Sequence, residues 1–362
     1  MKFRIILGLL CAAAIAPAWG QQLDPKYSNE FMDIGVGARA LGMANSVTAS
    51  ANDVTAGYWN PAGLTSVPGN IEIALMHADY FAGIGAFDYA ALAAPIDSNS
   101  VFAVTFLRFG VDNIPNTTQM IDPNGNVNYN NITSFSVADY AFLFSYARKF
   151  GIPGLSLGAN VKVIHSIVGS FATSWGFGFD LGGQYKYKDW EFGAVGRDVT
   201  STFNAWSYTL DPATQQIFQE TGNVIPTNGM EITLPRLLLG AGRTFRFFKD
   251  KVSLFAETDA DLTFDGLRNA LITSNTVSID PHAGIEIGYR GIVFLRMGIG
   301  NIQQTTDPTG QPVTSFQPDF GVGLKIKSFS LDYTLTNLGG ASVAPYSNIF
   351  SVKFDIYKKK KK

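Results

Sequence analysis

The sequence predicts an all-β protein: a transmembrane up-and-down antiparallel β-barrel of about 14 strands, with an N-terminal plug segment in the lumen. The chain is apolar and aromatic, with 46% hydrophobic, 13% aromatic and 15% charged residues. A soluble domain has about 25% charged residues. Beyond the first 20 residues no window approaches the roughly 18 apolar residues of a spanning helix. Short alternating segments recur instead, so a closed barrel is the remaining way to cross a bilayer.

Residues 1–20 are predicted to be a secretory signal peptide. Lys2 and Arg4 form its positive region, an apolar stretch follows, and Ala18-Trp19-Gly20 forms a small-x-small cleavage site. The single cysteine, Cys11, lies in this leader. The mature chain is therefore expected to have no disulfide framework.

Residues 21–69 are predicted to form the N-terminal plug. The stretch from Gly35 to Leu64 is rich in Gly and Ala, has no sustained helical or strand period, and ends in Tyr58-Trp59-Asn60-Pro61-Ala62-Gly63-Leu64. A segment of small residues ahead of a strand array needs a place within the fold. We expect that place to be the barrel lumen.

Residues 70–357 are predicted to form the barrel. Most of its segments are close to the 9–11 residues of a tilted membrane strand. They begin near Ile71 and continue at 87–95, 101–109, 139–150, 155–164, 174–187, 190–199, 236–245, 252–261, 282–290, 292–300, 319–327, 329–336 and 349–357.

The connections alternate between short and long. Short ones fall at 97–99, 151–154, 188–189, 249–250, 291 and 328, and longer ones at 110–138, 165–173, 200–235, 262–281, 301–318 and 337–348. A secreted soluble sandwich would also alternate apolar and polar residues along its strands. Tight turns that alternate with long loops are typical of an outer-membrane barrel, whereas a Greek-key sandwich would not alternate so regularly.

The polar face of the strands is expected to line the lumen. It would carry the charges Glu286, Arg296, Lys325 and Asp332, and a row of Glu257, Asp259 and Asp261 that we interpret as polar wall. Several glycines share this face, among them Gly284, Gly298 and Gly321. Inward glycines serve either a close approach by the plug or the curvature of the barrel, and both explanations stay open.

Lys358 to Lys362 form a lysine tail after the last strand. An even number of antiparallel strands places both termini on one side, which we expect to be the periplasm. The tail is interpreted as a solvated segment, with contact to anionic lipid head groups or an acidic periplasmic partner as the alternative.

No catalytic constellation is evident, so the chain is not expected to be an enzyme or to need a cofactor. Gly35-Val36-Gly37 follows no strand and lacks the spacing of a dinucleotide motif. The spacing of the three histidines suggests no metal site. The net charge of −2 and the absence of a basic face exclude a nucleic-acid footprint.

Residues 37 to 64, GARALGMANSVTASANDVTAGYWNPAGL, resemble the signature of the PorV/PorQ group of Bacteroidota outer-membrane proteins. That group lies within the FadL-like barrel superfamily, whose plug also carries an Asn-Pro-Ala-Gly-Leu stretch. The group usually has a second Gly where this chain has Ala44. The resemblance implies a 14-stranded barrel with its N-terminal segment in the lumen.

Within this segment, Arg39 and Asp53 are expected to pair with charges of the lumen, because buried charges need partners. Tyr58 and Trp59 would fill the seam between plug and wall. Asn60 and Pro61 would end the plug in a turn that leads to the first strand.

The resemblance implies one of two functions. PorV-like members work with the type IX secretion system beside a giant translocon barrel and take over exported proteins, which favours an accessory or substrate-shuttling role in protein export. FadL-like members pass hydrophobic small molecules. A third hypothesis is a subunit of another outer-membrane assembly, such as barrel insertion.

For the export role, the expected partners are outer-membrane lipid, a larger translocon barrel and exported proteins. The contact surface would be the long loops 110–138 and 200–235. These carry aromatic residues of the type that anchors interfaces: Phe135, Phe203, Trp206, Tyr208 and Phe218.

Overall fold

A computed structural model describes residues 28–121, 125–306, 310–336 and 347–357. The predicted signal peptide and the lysine tail lie outside these residues. No helix in the described part of the chain is long and apolar enough to cross a membrane.

The described chain is dominated by β-strands, preceded by short helical turns. The strands are β1 (Ile71–Tyr80), β2 (Gly85–Pro95), β3 (Ser100–Asn116), β4 (Thr133–Lys149), β5 (Leu155–Val168), β6 (Ala172–Tyr187), β7 (Trp190–Arg197), β8 (Thr202–Tyr208), β9 (Gly229–Thr233), β10 (Arg236–Phe247), β11 (Val252–Thr263), β12 (Ser278–Tyr289), β13 (Val293–Thr306), β14 (Pro312–Ile326), β15 (Phe329–Thr336) and β16 (Ser347–Ile356). The helices are α1 (Ala38–Leu41), α2 (Ala56–Trp59) and α3 (Pro212–Glu220), and 3₁₀ turns lie at Glu30–Asp33, Pro61–Ser66, Phe81–Gly83 and Tyr129–Asn131.

The strands form a closed antiparallel barrel of 14 strands, which confirms the predicted fold class. Neighbours in sequence pair with each other, and β1 pairs with β16 to close the sheet. The segments β8 and β9 do not add members to the barrel. They pair with each other beyond the ends of β7 and β10, and β6 pairs with β7 along one half and with β8 along the other. β7 and β8 are therefore one strand broken at residues 198–201, and β9 and β10 are one strand broken at residues 234–235.

The outer face of the barrel is apolar. Along β6, for example, Phe177, Phe179 and Leu181 are exposed, whereas Ser174 and Asp180 on the other face are buried. Alternation of this kind follows from the two-residue period of a strand. A soluble protein would not expose such a wide apolar surface. The closed sheet and its apolar exterior exclude the soluble sandwich.

The connections follow the predicted alternation with three corrections. The long connection predicted at 301–318 is mostly strand, because β13 continues to Thr306 and β14 begins at Pro312. The connection predicted at 165–173 is a tight turn at residues 169–171, because β5 and β6 stay paired as far as Val168 and Ala172. The predicted loop 200–235 contains β8, α3 and β9. Asp211 caps α3 by accepting hydrogen bonds from the backbone N–H groups of Ala213 and Thr214, and Pro212 occupies its first position.

Residues 28–67, called the plug segment from here on, lie inside the barrel. Their side chains and backbone contact strands all around the wall, including β1, β5, β6, β10, β12 and β16. The apolar part of the segment packs against the inner faces of β1–β5, where Val36, Val54 and Leu64 join Phe87 and Leu143 in one buried cluster. Polar contacts dominate on the other side.

Candidate functional site

A chain of ion pairs joins the plug segment to three wall strands. Nε of Arg39, in α1, donates to Oε2 of Glu286 on β12 over 3.1 Å. Arg296 on β13 donates to the same Oε2 over 2.6 Å and to Asp332 on β15 over 2.6 Å. The structure thus brings together four of the residues singled out in the sequence. Because buried charges are tolerated when paired, this network fixes α1 against the wall.

The second predicted plug charge has a partner that the sequence reasoning did not assign. Nζ of Lys353 on β16 lies 2.5 Å from Oδ2 of Asp53 and 3.5 Å from Oε1 of Glu72 on β1. Lys353 is the basic residue on the lumen face of the last strand, and this position is the signal that could have identified it. Lys325, by contrast, lies on the lumen side of β14 and forms no ion pair with the described residues.

A third contact fixes the start of the plug segment. Both terminal nitrogens of Arg236 donate to the carboxylate of Asp33, over 2.7 and 2.5 Å. Arg197, which lies over the rings of Tyr58 and Trp59 at 4.9 and 5.7 Å from their centroids, is 3.8 Å from Asp33. Burial alone would raise the pKa of Asp33, but the two guanidinium groups hold that pKa below its usual range.

Two carboxylates of the predicted polar wall bind backbone amides of the plug segment. Asp259 accepts from the N–H of Thr48 over 2.9 Å, and Glu257 accepts from the N–H of Ala49 over 2.6 Å. Both side chains are buried. These acidic residues of β11 therefore bind the plug backbone as well as line the lumen.

The signature residues hold the plug segment to itself and to the wall. Nε1 of Trp59 donates to the carbonyl of Val36 over 2.9 Å, and the hydroxyl of Tyr58 donates to the carbonyl of Met32. Asn60 accepts from the N–H of Ala62, and its amide nitrogen donates to the carbonyls of Thr48 and Gly183. Pro61 starts the 3₁₀ turn that leads towards β1.

At several inward glycines the plug backbone comes so close to the wall that there is no room for a Cβ atom. A Cβ at Gly284 would lie 2.5 Å from the carbonyl oxygen of Met43, and one at Gly298 would clash with the N–H of Ala44. A Cβ at Gly321 would lie 2.8 Å from the hydroxyl of Thr334 on the wall and 3.3 Å from the Cα of Gly42. Of the two explanations left open by the sequence, close approach by the plug applies at Gly284 and Gly298.

A buried triad lies at the break between β7 and β8. Lys162 on β5 contacts Asp180 on β6 over 2.8 Å and Asp198 over 2.5 Å. Asp198 and Ser201 have positive φ angles of 54° and 59°, so the backbone loops between them, while the N–H of Val199 still donates to the carbonyl of Phe179 over 2.9 Å. The inward-turned Asp198 thus anchors the interrupted strand.

Four of the five predicted contact aromatics converge on one feature. Phe135, Trp206, Tyr208 and Phe218 line an apolar groove of about 430 Å³, together with Phe171, Pro115 and Leu210. This aromatic groove lies at the end of the barrel that carries the long loops. Phe203 is not part of it. It faces outward on β8, beside Phe177 at a centroid distance of 6.4 Å.

A second cavity, the lumenal chamber, lies between the plug segment and the wall strands β10–β14. It has a volume of about 640 Å³. Its lining combines the apolar and aromatic residues Ile34, Leu41, Trp59 and Tyr80 with charged residues such as Arg197, Arg236, Asp261, Asp280 and His282. The chamber and the groove share no lining residue.

Comparison with solved structures identifies the fold. The chain is similar to the toluene transporter TodX of Pseudomonas putida, with 13% identity, a TM-score of 0.57, and coverage of 90% of this chain and 99% of that one. The toluene transporter TbuX of Ralstonia pickettii gives 14% identity, a TM-score of 0.53 and coverage of 89% and 99%. A FadL homologue of Pseudomonas aeruginosa gives 12% identity, a TM-score of 0.50 and coverage of 92% and 99%.

No family model and no curated protein matches the sequence. The likeness to solved structures supports the FadL-like part of the resemblance and does not extend to PorV/PorQ or to Bacteroidota. The similar structures are transporter barrels rather than enzymes. The chain therefore has the fold of the FadL-like outer-membrane barrels.

Proposed function

We propose that this protein is an outer-membrane channel for small hydrophobic compounds, which first bind in the aromatic groove. The observation that carries the proposal is the groove itself, an apolar cavity of about 430 Å³ lined by five aromatic side chains. Ligand sites of small apolar molecules are concave, mostly apolar, and typically 300–1,000 Å³ in volume. The fold adds support, because similar barrels are described as toluene transporters.

In this proposal the long-loop end faces the outside of the cell. The groove draws its walls from the start of β4, the turn between β5 and β6, the end of β8, and α3. Asp211 accepts hydrogen bonds from the backbone N–H groups of Ala213 and Thr214, and these bonds hold the start of the helix that presents Phe218. A hydrophobic compound would leave water at this point, before it meets the barrel wall.

Uptake of toluene by cells that carry the barrel tests this function. Trp206→Ala combined with Phe218→Ala removes two walls of the groove and is expected to lower the uptake rate at least fivefold. Phe203→Ala is the matched control, since Phe203 is an aromatic of the same strand as Trp206 but lies outside the groove. Equal uptake by the double variant and the control would contradict the proposal.

The second candidate is the accessory or shuttling role in a protein-export machine of type IX kind. This role is favoured by the number of ion pairs between the plug segment and the wall. Arg39, Asp33 and Asp53 each pair with a different wall strand. A plug fixed in this way suits a barrel that docks partners rather than one that conducts. An apolar segment of an exported protein could also occupy the aromatic groove.

Purification of the tagged protein from native outer membranes in mild detergent separates the two functions. Recovery with a very large barrel and secreted proteins, lost in the Trp206→Ala, Phe218→Ala variant, would favour export. Recovery alone, with toluene uptake that depends on the groove, would favour the channel.

A further inference from the structure

We propose that the lumenal chamber binds a small organic cation, an ammonium group on an apolar body, through Asp261 and Asp280. This site goes beyond the proposed function. It uses a different cavity from the aromatic groove and a ligand of different charge.

The first observation is a like-charge pair across two strands. Asp261 on β11 and Asp280 on β12 are direct partners in the antiparallel register. Both lie on the lumen-facing set of their strands and line the chamber. Side chains at directly opposed positions are roughly 5 Å apart at their Cβ atoms, and like charges there destabilise the sheet. Two ionised carboxylates in this position need a positive charge between them.

The chain supplies only part of that charge. His282, on the next lumen-facing rung, has its Nε2 3.4 Å from Oδ1 of Asp261, and its Nδ1 is hydrogen-bonded to Ser46. On the other side of the pair, Oδ1 of Asp280 is buried and has no hydrogen-bond partner among the described residues. The hydroxyl of Thr263, a residue only 7% exposed that also lines the chamber, lacks a partner in the same part of the structure.

The arginines of the chamber form their ion pairs with other carboxylates. Arg236 and Arg197 lie against Asp33. Arg268 binds Asp265 over 2.6 Å and lies 3.9 Å from Glu30. Each guanidinium thus forms its ion pairs with a carboxylate other than Asp261 and Asp280. Among the described residues, His282 is the base that forms an ion pair with Asp261.

The rest of the lining defines the class of cation. The plug segment and β1 contribute Ile34, Leu41, Trp59 and Tyr80 to the same lining. Apolar and aromatic surface of this kind accepts a hydrocarbon body, and aromatic faces also attract cations. No group of three or more acidic, His or Cys side chains in the described chain could hold a metal ion. The geometry therefore points to an organic cation rather than a bare metal ion.

Isothermal titration calorimetry of the full-length protein in detergent tests the site, with phenethylammonium as the probe and 2-phenylethanol as its neutral analogue. The titrations use the Trp206→Ala, Phe218→Ala background, so that the groove does not contribute. We expect phenethylammonium to bind with one-to-one stoichiometry and at least tenfold more tightly than 2-phenylethanol. Asp261→Asn with Asp280→Asn should weaken the binding of phenethylammonium at least tenfold.

The matched control is Asp79→Asn with Asp112→Asn, which removes the same charge from two exposed carboxylates of the outer surface. This variant should bind as tightly as its parent, and heat-dependent migration on gels should show that all variants are folded. Equal affinity for the amine and the alcohol, equal affinity of the two double variants, or a response to CaCl₂ without one to the amine would each overturn the proposal. Because the groove is already removed, failure here is distinct from failure of toluene uptake.

Discussion

Arg236 donates two hydrogen bonds to the carboxylate of Asp33, and this pair joins the start of the plug segment to β10 immediately after its break at residues 234–235. The two residues are 203 positions apart in the chain. A bidentate arginine–carboxylate pair is both strong and directional. It therefore fixes the position of the first turn of the plug and the inner face of the broken strand together.

Asp33→Asn is expected to loosen the first part of the plug segment. It leaves the guanidinium groups of Arg236 and Arg197 without their shared carboxylate. The pair is partly buried, and leaving a group of this kind without its partner costs about 1–3 kcal/mol. Hydrogen exchange measured by mass spectrometry should show faster exchange over residues 30–41. Asp189→Asn, which removes an exposed partner of Arg246, is the control and should leave this region unchanged. Unchanged protection in Asp33→Asn would show that the pair does not fix the plug.

The same pair predicts a dependence on acid. The pKa of Asp33 is held below its ordinary value of 3.8, since the opposing effect of burial is outweighed by Arg236 and Arg197. A lowered pKa stabilises the folded state fully above the ordinary value, and this stabilisation is lost as the pH falls through the lowered one. Protection of residues 30–41 should be constant from pH 7 to about 5 and decline below about 3.8. In Asp33→Asn, the loss of protection that comes from protonation of Asp33 should be absent. If protection declines identically in this variant and in the parent, groups other than Asp33 cause the decline.

Gly298→Ala is expected to displace the plug segment from the wall. A Cβ at this position would overlap the backbone of Met43 and Ala44, which has no flexible side chain to move away. We expect faster exchange at residues 42–46 and higher ion conductance in planar bilayers. Gly183→Ala is the control, because its Cβ would meet only a side-chain atom of Leu157 at 3.4 Å. Equal conductance of the two variants would contradict a close approach of the plug backbone to Gly298.

Asn60→Asp tests the signature residue by a change of one atom. The carboxylate can still accept from the N–H of Ala62, but it cannot donate to the carbonyls of Thr48 and Gly183. A buried polar group that loses its partner costs about 1–3 kcal/mol, and the Thr48 carbonyl would keep only the 3.4 Å hydrogen bond from Nε2 of Gln184. The thermal midpoint of the barrel should fall by several degrees, more than for Asn99→Asp in an exposed turn. A smaller loss for Asn60→Asp than for Asn99→Asp would refute this role.

The strands could be predicted because their signal is local. Phe329, Leu331, Tyr333 and Leu335 alternate with polar residues, and the period of two alone assigns each set to a face of β15. The break between β7 and β8 has no such signal, since residues 198–201 contain neither Gly nor Pro. It depends on Asp198 turning inward to Lys162, a contact between residues 36 positions apart.

The sequence predicts that the charges of the plug segment form ion pairs, but it does not identify every partner residue. Composition indicates that Arg39 and Asp53 need opposite charges, and Glu286 is among those expected. The partner of Asp53 is Lys353, 300 positions away, and nothing near either residue identifies the other. The aromatic groove shows the same limit. Trp206 and Phe218 could be recognised as contact residues, whereas the concave shape they form depends on how β8 and α3 are placed.

The contacts of the plug segment with the wall also constrain the order in which the chain can fold. The N–H of Gly37 donates to the sulfur of Met76 on β1, and the N–H of Ala38 donates to the hydroxyl of Ser351 on β16. These two strands are the first and the last of the barrel, and their pairing closes it. The segment that is made first therefore cannot complete its contacts until the strand that is made last has arrived. Closure of the barrel and docking of the plug segment therefore depend on each other, and contacts between residues so far apart in the chain form slowly.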